Sequence, residues 1–252
     1  PYVVDYNPQA EALVVTSKDK GGIIRNFIRR GLEDSGINSE KITEGEIDLI
    51  FKQLNKFTGR SLIRILNNFS EKKGVIGLGL ARYYLEKKGL LDVKDTGDQF
   101  SEVSFLISID DNVKVWRNMY LDIFGLGVDS KVNDAITKKR ADLLLVKISR
   151  KNGEFLFNFQ VIEVKNREDL NSAEWSNQVK ASYEMFSSLF GNENSDKRAD
   201  QELVALKFAE LFDIHLRRRF RQKYQTDNDK IKQAELFRLE FASSFINGNI
   251  DE

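Results

Sequence analysis

The 252-residue chain contains no cysteine. Disulfides and thiolate zinc sites are therefore excluded, and a thiol-rich reducing compartment suits the chain. A single histidine, His215, rules out a histidine-based metal cluster and a Ser-His-Asp triad. Only Pro1 and Pro8 are prolines, so boundaries have to be read from glycine and polar clusters. Neither charge is in excess: 39 Lys and Arg balance 39 Asp and Glu. No global field draws the chain to nucleic acid, and any DNA affinity must come from local patches. No apolar run approaches membrane-spanning length and no signal peptide is visible, so a cytoplasmic protein with no membrane partner is expected. No internal repeat stands out. The chain opens on Pro1-Tyr2 rather than Met, as a segment excised from a longer protein would.

What is present suffices for a core. Hydrophobic residues make up 41% and charged residues 31%, an ordinary globular balance. The 18 Phe against 2 Trp predict a phenylalanine-rich interior. The length fits one large or two small domains.

The most legible stretch is 140–165. Two apolar runs, 140–148 and 155–165, flank Lys151-Asn152-Gly153-Glu154, and Asn-Gly is a strong signal for a two-residue hairpin turn. With Lys151 facing Glu154, stepping outward pairs Ile148 with Phe157, Val146 with Phe159, Leu144 with Val161 and finally Asp142 with Glu163. The two carboxylates then lie opposite each other, with Cβ atoms about 5 Å apart. They and Lys165 end an apolar face, where charge is costly unless paired or bound to metal. Leu143, Leu145, Ile162 and Val164 make the other face apolar too, which predicts an interior strand pair. Two carboxylates so placed can ligate Mg²⁺ or Mn²⁺. Lys165, two residues after Glu163, shares its face and could orient water or stabilise developing charge. Arg140 would oppose Lys165, an unfavourable pair unless an anion such as phosphate comes between them.

This constellation resembles the PD-(D/E)xK phosphodiesterase superfamily, which includes restriction enzymes, Holliday-junction resolvases and recombination nucleases. There the Asp opens the second core strand and the (D/E)xK triplet ends the third. Asp142, Glu163 and Lys165 match residue by residue, with Arg140-Ala141 replacing the proline that often precedes the Asp. The resemblance implies an α/β fold: a small mixed sheet with an antiparallel hairpin, flanked by helices. The expected organisation is an α-rich section at 1–70, the nuclease-like core at 71–190 and a helical section at 191–252.

The rest of the chain is read around that core. Residues 12–16 form a short strand candidate. Gly21-Gly22 opens a helix with Ile23, Ile24, Phe27, Ile28 and Leu32 on its apolar stripe. Thr43-Glu44-Gly45-Glu46 caps a helix running to Phe57, and residues 62–69 give another helical stretch. Gly74 to Lys88 reads as a helix stopped at Gly89, with Leu80, Ala81, Tyr84 and Leu85 inward. In the resembled superfamily this helix often supplies a further Glu to the metal, and the alignment places Leu78 and Gly79 there instead. Asp110 or Asp111, after the strand 103–107, is a possible substitute or a simple turn residue. Trp116, Met119, Tyr120 and Phe124 predict a short covering helix. Asn171 or Ser172 caps a helix to Phe190 that carries Glu174, Gln178 and Tyr183. Gln178 is a candidate DNA contact; an ordinary exposed glutamine is the alternative. A fourth core strand is not visible, and helices at about 200–224 and 228–246 follow, which implies a shortened or rebuilt sheet edge. The first of these closes on Arg217, Arg218, Arg219 and Arg221, which either complement the helix dipole or contact phosphate.

Residues 54–60, the phrase 107–111 with Trp116, and 140–145 are also similar to a region of HerA/FtsK-like DNA translocases in bacterial restriction systems, among them those that restrict DNA lacking phosphorothioate marks. That resemblance implies a parent protein with its ATP-driven motor elsewhere, partnered by other restriction subunits and by double-stranded DNA. A catalytically silent DNA-binding module and a scaffold that docks partner subunits remain alternatives.

Overall fold

The computed structural model describes residues 3–6, 12–15, 22–34, 36–54, 56, 72–97, 99–109, 112–113, 115–118, 140–165, 172–190, 198–224, 226–247 and 250–251. The chain packs as two units, Pro1–Gly89 with Val164–Ser172, and Leu90–Glu163 with Ala173–Glu252.

In the first unit, β1 (Val3–Tyr6) pairs antiparallel with β2 (Ala12–Val15). Among the described residues, three α-helices follow: α1 (Gly22–Glu33), α2 (Glu44–Leu54) and α3 (Lys72–Lys87). Their core joins Ile24, Ile28 and Leu32 to Ile47, Ile50, Leu54, Val75 and Ile76. Ile23 points outward at 58% exposure, so the α1 stripe is narrower than the sequence predicts. The α2 start is a reciprocal capping box. The Thr43 amide donates to Glu46 Oε2 at 2.8 Å, and the Glu46 amide donates to Thr43 Oγ1 at 3.3 Å. The Thr43 amide and then the Thr43 hydroxyl, which donates to Glu46 Oε2 at 2.9 Å, hold the Glu46 carboxyl below its usual value. α2 stops at Leu54, short of the expected Phe57.

α3 ends as predicted. The Lys88 and Gly89 amides bond back to the Tyr84 and Glu86 carbonyls, and Gly89 takes a φ of +70°. Its inward face is rotated from the expected one. Leu85 is buried as expected and Ala81 half-buried, but Leu80 and Tyr84 are exposed, while Val75, Ile76, Leu78, Gly79 and Arg82 are buried. The reason is Gly79, where a Cβ would stand 3.1 Å from Leu54 Cδ2. The missing side chain lets α2 approach closely. Beneath this contact, burial alone would raise the Glu86 carboxyl, but Lys56 and Gln53 bond to it and hold it below its usual value.

The second unit is a mixed α/β layer. A meander of four antiparallel strands, β3 (Val93–Asp95), β4 (Phe100–Ser108), β5 (Leu143–Lys151) and β6 (Glu154–Ile162), is flanked by helices. The helices are α4 (Ser172–Phe190), α5 (Arg198–Lys223) and α6 (Asn228–Ile246). A two-residue strand, β7 (Ile250–Asp251), pairs in parallel with Phe155 and Leu156 of β6. The β5–β6 turn has positive φ at both Asn152 (54°) and Gly153 (88°), the geometry of a type I′ hairpin. The resulting register pairs Ile148 with Phe157, Val146 with Phe159 and Leu144 with Val161, as the sequence predicts.

On β4, Val103, Phe105 and Ile107 join the same row. Helices cover this face. Met185, Phe186 and Leu189 come from α4; Phe208, Phe212, Leu216 and Phe220 come from α5; Phe237 and Phe241 come from α6. Trp116, in a helical stretch at 115–118, is buried with its ring 5.0 Å from Phe186, so it covers the core as expected. One expectation needs correcting. β5 is interior, but β6 has a second neighbour only at Phe155 and Leu156 among the described residues. Asn158 and Gln160 are exposed on its other face, so the strand pair is not interior throughout.

Candidate metal and phosphodiester site

The β5–β6 ladder ends with Leu143 opposite Ile162. Asp142 and Glu163 are the next residues along the two chains, one step beyond that last pair. Both acids are half-buried. The backbone around Asp142 is held from two sides. Its carbonyl accepts from the Ile109 amide at 2.9 Å, which carries the β4–β5 pairing past the regular strand. The amide of Ala141 donates to Ser182 Oγ of α4 at 2.8 Å, in a buried bond. Asp142 is therefore fixed by a strand on one side and a helix on the other.

Lys165 is half-buried and belongs to the segment Val164–Ser172, grouped with the first unit. Arg140 is half-buried just before the strand. Its expected pairing with Lys165 falls beyond the ladder. Gln178 is half-buried on α4, one turn before Ser182. Tyr183 is exposed, with its ring 5.6 Å from Phe159. Asp110 and Asp111 lie outside the described residues, as do Met119, Tyr120, Phe124 and the stretch 62–69.

The donor set fits a hard divalent ion. Carboxylate oxygens suit Mg²⁺, which keeps several waters and needs only one or two protein carboxylates. Among the described residues, no three of His, Asp and Glu form a group able to hold a metal. The position where the resemblance puts a further acid is closed: Leu78 is buried and Gly79 faces Leu54.

The arginines of α5 divide by use. Arg219 is buried and donates to the Leu91 carbonyl, so it is a tie within the fold rather than part of an exposed basic face. Arg217 is bound to Asp213 at 2.8 Å, and the same carboxylate takes the buried Arg238 at 2.5 Å. Arg218 is half-buried and Arg221 is exposed. Lys223 reaches Asp92 and the Val93 carbonyl. Much of this basic segment clamps β3 to the end of α5. Tyr224 completes the clamp by donating to Asp95 at 2.8 Å, and Lys230 adds a bond to the Gly97 carbonyl. Burial and then the bond to Asp95 push the Tyr224 hydroxyl well up, while the Tyr224 bond heads the effects that hold Asp95 down.

Sequence reasoning missed Ser182 and the Ile109 bond. One signal was available: alanine where the motif often has proline leaves a backbone donor that needs an acceptor. Compared with known proteins, the chain matches no family model, no curated protein and no solved structure. No helix among the described residues is long and apolar enough to cross a membrane.

Proposed function

We propose that this chain is a metal-dependent DNA endonuclease domain of PD-(D/E)xK type, acting on double-stranded DNA in the cytoplasm as one module of a restriction or anti-phage assembly. The observation that carries the reading is the hairpin register, which runs to Leu143 opposite Ile162, the pair immediately inside Asp142 and Glu163. These two carboxylates would hold Mg²⁺ or Mn²⁺. Such an ion, when bound, supplies charge stabilisation at a phosphoryl oxygen and favours ionisation of water. Lys165 orients the attacking water or meets the charge that builds on the phosphate, a role that rests on its two-residue spacing from Glu163. Arg140 contacts a phosphate, and Gln178, Arg217, Arg218 and Arg221 are the further candidate DNA contacts. An ATP-driven translocase region of the parent protein is the proposed partner.

The absence of a third acid among the described residues favours a second reading, a silent DNA-binding module on the same scaffold. Relaxation of supercoiled plasmid with Mg²⁺ or Mn²⁺ separates the two. Wild-type chain should nick it, while Asp142→Asn, Glu163→Gln and Lys165→Ala should not, with DNA affinity retained in Lys165→Ala. Metal-dependent cleavage by Lys165→Ala at the wild-type rate would place the activity elsewhere.

A further inference from the structure

We infer that Ser182 is a positioning residue for the Asp142 carboxylate, an inference that rests on the metal site proposed above. Ala141 is fully buried, and a buried amide must find an acceptor. Ser182 Oγ supplies it at 2.8 Å, and Ser182 is itself 1% exposed. This hydroxyl is the point at which α4 grips the residue immediately before Asp142. On the far side of Asp142, the Ile109 amide holds the carbonyl. The two bonds bracket the pair Ala141-Asp142, so they restrict the direction in which the Asp142 side chain leaves the backbone. Without Ser182, the Ala141 amide must turn to find water or another acceptor, and Asp142 turns with it. The structural tie and the metal ligand are then adjacent in the chain, and small rotations at Ala141 become displacements of the carboxylate. Partners that orient metal ligands without touching the ion commonly set its affinity.

The test is calorimetric titration of Mn²⁺ into the full chain, run beside metal-free thermal melts. Ser182→Ala should weaken Mn²⁺ binding about ten- to hundredfold. Ser182→Thr keeps the hydroxyl and should bind close to wild type. Ser182→Val, with the shape of threonine but no hydroxyl, should be as weak as Ser182→Ala. The Thr and Val pair shares any packing cost, so a difference between them belongs to the hydroxyl. Ala and Val variants that melt lower yet bind Mn²⁺ within about twofold of wild type would overturn the inference and leave Ser182 a purely structural residue. Failure of the wild-type chain to bind Mn²⁺ at all would overturn this inference and the metal reading together; binding unchanged by the variants overturns Ser182 alone.

Discussion

Replacing Phe212 with alanine tests whether one aromatic cluster seats the helices on the sheet face that ends at Asp142 and Glu163. Phe212 is fully buried. Its ring centroid lies 5.4 Å from Phe157, 5.5 Å from Phe208, 5.7 Å from Phe245 and 5.9 Å from Phe105. It therefore links α5 to β4, β6 and α6 at once. Truncating a buried phenylalanine removes its transfer energy and leaves a cavity, together costing about 3–5 kcal/mol. The ring pairs, worth roughly 0.5–1.5 kcal/mol each beyond burial, place this site toward the upper end. Stabilities of roughly 5–15 kcal/mol are usual for folded domains, so the loss is a large share of the whole. Both tryptophans, Trp116 and Trp175, lie in the second unit, and Trp116 packs 5.8 Å from Phe208. Intrinsic fluorescence thus follows the unfolding of that unit in urea. The midpoint should fall with the slope unchanged. Leu239→Ala, at a position 65% exposed, serves as the control and should stay within about 0.5 kcal/mol of wild type. A Phe212→Ala loss under about 1.5 kcal/mol, or an equal loss in the control, would refute the argument.

Thr43→Ala removes the α2 cap and should lower stability by about 1 kcal/mol, read as a lower melting temperature by far-UV circular dichroism. Glu46 is held below its ordinary 4.5, so its contribution is present above that pH and lost as pH falls through the folded value. The gap between wild type and Thr43→Ala should shrink in acid accordingly. Tyr224→Phe should cost at most about 1 kcal/mol at neutral pH, since Asp95 is largely solvated. Asp95 is also depressed, from 3.8, so this difference should close as pH falls through the folded Asp95 value; a gap that persists in acid melts would exclude the bond as its source. Arg219→Ala should cost about 1–3 kcal/mol of stability by orphaning a buried carbonyl. It should leave the salt dependence of DNA binding unchanged, whereas Arg217→Ala with Arg221→Ala should flatten that dependence by releasing fewer counterions.

The hairpin was legible because its signals agree. Asn152-Gly153 demands positive φ, and the alternating apolar residues on either side accept only one register. Helix ends with local chemistry were legible for the same reason, as at Thr43 and Gly89. The long helices α5 and α6 also lie close to the expected ranges, about 200–224 and 228–246. The inward face of α3 was not legible, because a pattern of apolar side chains gives no weight to glycine. Gly79 contributes to packing by having no side chain, and that depends on Leu54, 25 residues away. β1, β3 and β7 span two to four residues each, too short for alternation to register. That β6 has so little second-neighbour pairing among the described residues was hidden because Val161 and Ile162 read as buried on both faces while their burial is partial. At the site, residue types and spacing within the hairpin were visible. The need of the Ala141 amide for an acceptor was visible, but the partner was not, since a hydroxyl 41 residues from its donor has no local signature; the bond from Ile109 was equally hidden.

Whether Asp142 and Glu163 together hold a divalent ion is tested most directly by anomalous X-ray scattering from crystals of this chain soaked in Mn²⁺. An anomalous peak is expected within coordination distance of both carboxylates, absent from crystals of Asp142→Asn. A well-occupied peak elsewhere, with no density between these two residues, would contradict the proposed metal role.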